Sequence, residues 1–273
     1  MSNEAGKGAA SFDRYYWGHR ESSEERPGDP DIYRELDLNF FASKSQRVSG
    51  STKVEELSVG DFHSSGSFHV SGKARTGAFQ CSGSASLGAD LVSRSVKVSG
   101  SLRVHGKGVV ADMSISGSAA IEGGLHVRDA LQVSGSLNAP GIDSTGRVEV
   151  SGRMETGNVR CREFSLSGGG EATTISAGHV TINEWAHKGF GRFFGVRFGP
   201  KRRPFRAESI TSEGTVALNL CDVKSVKADT VWIGKGCHVG KVVYVTRCDV
   251  EEGASLDQPP VKTAGQGIGR SPS

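Results

Sequence analysis

The sequence predicts an all-β fold, a three-sided β-solenoid or β-helix with right-handed coils of about 17 residues. The first observation is a Ser-Gly pair that recurs every ~17 residues, with steps that vary by one residue at most. Such a period indicates a repeat architecture and is too short for the helix pairs of helical solenoids. The second observation is that apolar residues alternate with polar ones between the pairs, as at Leu102 and Val104, which indicates strands. The glycines of the pairs are Gly50, Gly66, Gly83, Gly100, Gly117, Gly135, Gly152 and Gly168.

Each coil is predicted to contain three short strands joined by tight corners, with successive coils stacked ~4.8 Å apart. The Ser-Gly pair is placed at a corner, where the backbone often needs a positive φ that glycine adopts most easily. In register, these corners form a column along one edge. The narrow interior would hold aliphatic side chains, and the candidates in one coil are Val98, Leu102, Val104, Val109, Met113 and Ile115.

The repeat divides the chain into five segments. Coils are predicted over residues 47–183 and again over 207–257, separated by an insertion at 184–206 and flanked by tails at 1–46 and 258–273. In the second set of coils Cys221 and Cys237 are separated by about the length of one coil. This separation predicts that they stack in adjacent coils as small core residues.

The N-terminal segment 1–46 is acidic, with six Lys or Arg against nine Asp or Glu. One interpretation is a disordered tail. The other is a docking segment or a cap, because Ile32, Leu36 and Phe40 have helical spacing and an open strand edge at the first coil invites covering.

The insertion 184–206 is basic and aromatic, with seven Lys or Arg against one acidic residue. It is interpreted either as a loop packed on the flank of the solenoid or as a contact surface. An anionic membrane surface and a protein partner are the candidate partners, whereas nucleic acid is not favoured because no recognised module surrounds the segment. The candidate contact residues are Trp185, Lys188, Phe190, Arg192, Phe193, Phe194, Arg197, Phe198, Lys201, Arg202, Arg203 and Phe205.

The sequence predicts neither an enzyme nor a cofactor or metal site. A Walker-type phosphate loop and a nucleophile elbow are both missing from it, and Cys237, His238 and Cys248 do not have the spacing of a structural zinc site. An odd number of cysteines, five, and the lack of a secretion signal predict a reducing cytoplasm. A peripheral position at the inner face of the cell membrane would follow if the insertion binds lipid.

Two enzymatic alternatives remain. The stretch Ile233-Gly-Lys-Gly-Cys-His-Val-Gly looks like a turn of the hexapeptide acyltransferases, but their six-residue rhythm does not continue here. A β-helix polysaccharide lyase would need longer coils and clustered charged residues in a groove.

A closer resemblance is to the bactofilins, polymer-forming cytoskeletal β-helix proteins. The repeated units Val98-Ser-Gly-Ser-Leu-Arg-Val-His-Gly and Ile115-Ser-Gly-Ser-Ala-Ala-Ile-Glu-Gly resemble the units of that family, and residues 228–254 look like its closing coils. The resemblance covers residues 48–256 and implies a nucleotide-independent scaffold that assembles end to end.

Physical reasoning leads to the same expectation, because each end of a solenoid presents unpaired strands and a cross-section of apolar core. The alternative is a capped monomeric or dimeric module that binds partners. The partner predicted for the ends is a second copy of this chain, and the candidate self-assembly residues are Val48, Val54, Leu57, Val59, Val242, Val243, Tyr244 and Val250.

Overall fold

The computed structural model describes residues 30–37, 44–183 and 204–264, and it confirms the predicted β-solenoid. Parallel strands stack in three ladders, one for each face of the coil. Residues 45–48 begin face 1, residues 51–54 begin face 2 and residues 57–59 begin face 3. Each ladder continues through twelve coils, which at ~4.8 Å a coil form a rod about 55 Å long.

The coils are numbered here from the residue at which each enters face 1. These residues are 45, 61, 78, 95, 112, 130, 147, 163, 179, 215, 230 and 247. The spacing matches the steps of the Ser-Gly pair over the first eight coils. The single longer step comes from a register shift between Val127 and Ala130, where the corner gains one residue.

Many strands run around a corner without interruption, so one strand often serves two faces. The strands are β1 Ser45–Val48, β2 Ser51–Val54, β3 Leu57–Ser64, β4 Ser67–Val70, β5 Ala74–Cys81, β6 Ser84–Leu87, β7 Leu91–Val98, β8 Ser101–Val104, β9 Gly108–Ile115, β10 Ser118–Ile121, β11 Leu125–Val133, β12 Ser136–Ser144, β13 Arg147–Val150, β14 Arg153–Leu166, β15 Gly169–Ile182, β16 Phe205–Ser212, β17 Thr215–Leu218, β18 Cys221–Ile233, β19 His238–Val250, β20 Ser255–Leu256 and β21 Val261–Lys262. A 3-10 turn, Pro30–Tyr33, and a short helix α1, Arg34–Asp37, precede them.

The core is a set of aliphatic columns along the rod axis. Of the predicted core candidates, Val98, Leu102, Val104, Met113 and Ile115 are buried in it. Val109 is not, because it lies on the outer side of face 3 and packs under Tyr33 and Leu36 instead. Two hydroxyls inside the core are satisfied: Thr76 donates to Ser93 Oγ at 2.9 Å, and Ser93 donates to the carbonyl of Ser95 at 2.9 Å.

The Ser-Gly corners form the predicted column between faces 1 and 2, but the reason for glycine is different from the predicted one. The glycines with positive φ are Gly124, Gly170, Gly236 and Gly253, and none belongs to this column. Instead, a Cβ at Gly117 would collide with the carbonyl oxygen of Gly100, and the same contact recurs from Gly66 to Gly168. That oxygen accepts a hydrogen bond from the amide of Ser118 at 2.9 Å. Close stacking of the corners therefore excludes a side chain.

Candidate functional site

The N-terminal end of the rod is an open set of strands. β1, β2 and the first part of β3 pair only with the second coil among the described residues. Of the predicted interface residues here, Val48 and Leu57 are buried and Val54 and Val59 are half-buried. Three phenylalanine rings support this end from inside, with Phe62 at 4.4 Å from Phe68 and 5.2 Å from Phe79 between centroids. Within the described residues, the first coil is thus well packed on the side of the second coil and unpaired on its other side.

The C-terminal end lies one coil later than predicted. Val242, Val243 and Tyr244 belong to coil 11, and Val242 is fully buried beneath the last coil. Of the predicted residues only Val250 lies in coil 12, where its side chain is 43% exposed. Val261 is 47% exposed and Leu256 is half-buried in the same coil. The terminal apolar surface therefore belongs to residues 247–262.

One face of this last coil differs from the others in having residues that disfavour strand pairing. Pro259 and Pro260 lie between β20 and β21 and have no amide hydrogen to donate. Lys262 pairs with Tyr244 in the column that continues from Ala228, so this column ends on an exposed charged residue. Prolines and charged side chains are means by which proteins discourage edge pairing.

A shallow groove of about 850 Å³ follows the outer side of face 2 over the first seven coils. The serines that follow the first six glycines of the column line it, and Ser101 donates to Ser84 Oγ at 3.0 Å. The charged side chains beside them are few, namely Lys53, Arg103, Arg153 and Glu155. The groove follows from the Ser-Gly-Ser repeat, but its presence was not predicted.

Charged side chains elsewhere pair between neighbouring coils on the outer faces. His105 Nδ1 lies 3.0 Å from Glu122 Oε2, Lys224 Nζ 2.6 Å from Glu208 Oε1, and His238 Nε2 3.5 Å from Asp257 Oδ1. These side chains are exposed, so each pair contributes about 0–1 kcal/mol. Among the described residues no three His, Cys, Asp or Glu side chains are grouped to hold a metal ion.

The basic aromatic insertion leaves the rod at one corner of coil 9. The chain departs after Ile182 on face 1 and returns at Phe205 on face 2, so the insertion replaces the Ser-Gly corner of that coil. Its predicted contact residues from Trp185 to Arg203 lie outside the described residues.

Phe205 was assigned to the insertion, and this assignment is wrong. Phe205 begins β16 and is buried in the core, pairing with Cys221 of the next coil. Glu171 of the preceding coil pairs with Arg206, so Gly170 is the residue of that coil that lies opposite Phe205. The coils therefore resume at residue 205 and not at 207.

The segment 30–37 docks on the flank of the rod, and does not cap its first coil as one interpretation of the sequence supposed. Tyr33 and Leu36 are buried against Val92 and Ala111, at coils 3 and 4. The Tyr33 hydroxyl donates to the carbonyl of Val127 at 3.1 Å, and Arg94 Nε donates to the carbonyl of Leu36 at 3.2 Å. Burial, together with the nearby Asp143 carboxylate, raises the pKa of Tyr33 to about 12.

No helix within the described residues is long and apolar enough to cross a membrane. Comparison of the chain with family models, with curated proteins and with solved structures finds no match. The function is therefore inferred from the geometry of the two ends and of the outer faces.

Proposed function

We propose that this protein is a structural scaffold, a rigid rod that joins copies of itself end to end into oligomers or filaments without a nucleotide. The observation that carries the proposal is the first coil, whose strands β1 and β2 are regular and, within the described part of the chain, pair on one side only. Unpaired strand edges favour pairing with a second chain. The resemblance to bactofilins implies the same kind of assembly.

The residues at the two ends match when a second copy continues the stack in the same register. Coil 12 of one copy would then precede coil 1 of the next. Val250 would lie opposite Val48 on face 1, and Leu256 opposite Val54 on face 2, so that both core columns continue across the joint. On faces 1 and 2 the joint would resemble the packing inside the rod.

Charges on face 1 also match in this register. Arg47 would lie next to Asp249, whose carboxylate already accepts from Arg247 Nε at 2.6 Å within its own coil. A second guanidinium beside this carboxylate would favour the head-to-tail arrangement over the reversed ones.

The insertion is compatible with joining through the ends. It departs between Ile182 and Phe205, three coils before the C-terminal end. Both points at which the insertion joins the rod therefore lie on its side and not at its ends. We include attachment of the insertion to an anionic membrane or a protein partner in the proposal.

Gly50 allows a direct test. A Cβ at this glycine would meet nothing within 4 Å, since no coil precedes it, whereas the other glycines of its column would collide with the preceding corner. Gly50→Ala is therefore expected to leave the thermal unfolding midpoint unchanged. In a head-to-tail stack the added methyl would point at the corner near Glu252 of the neighbouring copy and prevent assembly. Sedimentation velocity and electron microscopy of the full chain measure this.

Gly141→Ala is the matched control, because its Cβ would lie at an ordinary 3.7 Å from the carbonyl of Asn158, on the side of the rod. It should leave both stability and assembly unchanged. Polymers that form equally well from Gly50→Ala would contradict the head-to-tail arrangement. A wild-type chain that is monomeric at all concentrations would contradict self-assembly as a whole.

A second candidate function is a monomeric or dimeric binding module whose C-terminal end is blocked. Pro259, Pro260 and Lys262 favour it, since on face 3 they would meet Leu57 and Val59 of a following copy. In this case the wild-type chain sediments as a monomer or dimer, and the double variant Pro260→Val with Lys262→Val gains larger species. If the double variant behaves as the wild type does, these residues are not what blocks the end.

A further inference from the structure

Two buried cysteines contact each other in adjacent coils. Cys221 begins β18, and Cys237 lies one residue before β19. The pairing of Asp222 with His238 places the two cysteines opposite each other on the inner side of face 2. Their sulfur atoms are 3.6 Å apart, and both residues are almost fully buried. The sequence predicted the stacking but assigned the pair no role beyond packing.

The corners before these cysteines differ from the Ser-Gly corners of the earlier coils. Leu220, just before Cys221, has a φ of 51°, and Gly236, just before Cys237, has a φ of 69°. A left-handed conformation is costly for leucine, and such strain is found most often at functional sites. The Leu220 side chain lies over Gly236 and is 39% exposed. A strained corner therefore separates the two sulfur atoms from solvent.

The electrostatics of the pair distinguishes Cys237 from the other thiols. Hydrogen bonding with the Cys221 thiol and backbone hydrogen bonds with Cys221, Leu220 and Gly234 lower the pKa of Cys237 against the opposing effect of burial. By contrast, burial raises the pKa of Cys161 to about 12. Because the thiolate is the reactive form of cysteine, Cys237 is the member of the pair whose surroundings favour reaction.

We propose that Cys221 and Cys237 are a redox-active dithiol, which a hydroperoxide converts into a disulfide that links coils 10 and 11. In the first step the Cys237 thiolate attacks the terminal oxygen of the hydroperoxide, so that an S–O bond forms and the O–O bond breaks with release of an alkoxide, or of hydroxide when the oxidant is hydrogen peroxide. In the second step the Cys221 sulfur attacks the sulfenic sulfur of Cys237. The S–S bond forms, the S–O bond breaks, and the departing hydroxide takes the Cys221 proton and leaves as water.

The backbone geometry suits such a bond. Adjacent parallel strands are ~4.8 Å apart, which lies within the Cα separations of about 4.4–6.8 Å that disulfides span. Closing the sulfur separation from 3.6 Å to about 2.05 Å needs only a change of side-chain torsions. The linked coils carry the C-terminal end of the rod, so the bond would hold that end against fraying.

The test is oxidation of the full-length reduced chain with hydrogen peroxide, followed by unfolding and thiol counting with a maleimide. The expected result is a fall from five free thiols to three, restored by dithiothreitol. Non-reducing peptide mapping should show Cys221 linked to Cys237 within one chain, and the thermal unfolding midpoint should rise on oxidation.

Two single variants make the test specific. Cys221→Ser should leave Cys237 to oxidise to a sulfenic or sulfinic acid without a disulfide and without a rise in the unfolding midpoint. Cys161→Ser, at a buried cysteine in coil 7, should form the disulfide as the wild type does. Retention of all five thiols, a different pairing, or a Cys221–Cys237 link only between chains would overturn the proposal. None of these readouts depends on end-to-end assembly.

Discussion

Glycine in the Ser-Gly column is required by the distance between successive corners. The glycine Cα of each corner lies above the glycine carbonyl of the corner before it, and the backbone on both sides is fixed by hydrogen bonds. A methyl group cannot be accommodated by rotating a side chain, since its neighbours are backbone atoms. Whether a position in this column tolerates a side chain therefore depends on whether another coil precedes it.

Gly117→Ala, in the middle of the column, is expected to destabilise the protein by about 3 kcal/mol, the upper end of the range for overpacked sites. The measurement is chemical denaturation under conditions in which the chain is monomeric. Gly141→Ala serves as the control, with an expected change within about 0.5 kcal/mol. Equal effects at both positions would show that the close approach of the corners is not what requires glycine.

Tyr33 should make the docking of residues 30–37 depend on pH in the alkaline range. Its pKa is raised from 10.0 to about 12, first by burial and then by Asp143, so the docked state favours the neutral phenol. The stabilisation is fully present below pH 10 and is lost as the pH rises from there through about 12. The ultraviolet absorbance of tyrosinate measures the ionisation of Tyr33, and near-ultraviolet circular dichroism measures the detachment of residues 30–37.

Tyr33→Phe is the companion variant for this measurement. It removes the hydrogen bond to the Val127 carbonyl, which costs about 1 kcal/mol of docking free energy. It should also remove the alkaline transition of the docked segment while leaving the coils folded. If the segment still detaches between pH 10 and 12 in the variant, Tyr33 is not the titrating group.

At the scale of single elements, the corner of coil 9 shows how a solenoid tolerates an insertion. Asn183 donates from its amide to the carbonyl of Leu166 at 2.8 Å, and β16 restores the register with β15 from Glu171 onward. The chain therefore leaves and re-enters at positions that an ordinary corner would join.

Replacing residues 183–204 by Ser-Gly-Ser leaves three residues between Ile182 and Phe205, as between Leu166 and Gly170 in the preceding coil, and should preserve the rod. The expected change in the free energy of unfolding is small, because a long loop costs only slightly more closure entropy than a shorter one. Phe205→Ala in the same element should cost about 3–5 kcal/mol, because it leaves a cavity in place of an almost fully buried aromatic ring. Circular dichroism and denaturation compare the two variants.

The period and alternation of the sequence were sufficient to predict the strands, the corner column and most of the core. What they missed depends on contacts that have no period. Val109 faces outward because it alternates with the inward Gly108 and Val110, and Tyr33 and Leu36, far away in the chain, partly cover it from outside. Phe205 resembled its basic aromatic neighbours in composition, but it is the first residue of β16 and is buried in the core. The third face of the final coil, with Val261 and Lys262, was assigned to the tail 258–273 because β20 and β21 have only two residues each.

At the scale of the whole molecule, the two ends of the rod determine what it can build. Faces 1 and 2 offer matching residues at a head-to-tail joint, while Pro260 and Lys262 oppose pairing on face 3. Favourable contacts on two faces and an unfavourable one on the third predict weak joints. The extent of assembly should therefore depend on protein concentration and on salt.

A charge exchange across the joint tests its register. Arg47→Asp would bring two carboxylates together at the joint and should weaken each association step about fivefold or more, as expected for about 1 kcal/mol. Adding Asp249→Arg to the same chain should restore association by reversing the pair. Light scattering at low and high salt measures the association of both variants. A double variant that associates no more strongly than Arg47→Asp alone would argue against this register.

The equivalence of the corners in coils 2 to 5 also makes the length of the rod adjustable. Each of these coils presents the same Ser-Gly-Ser corner to the coils above and below it. Removing or duplicating one repeat unit, such as 84–100, brings together corners that already fit one another. Adding or removing one repeat unit would therefore change the length of the rod by ~4.8 Å. The distance between the corner of coil 9 and the N-terminal end would change by the same step.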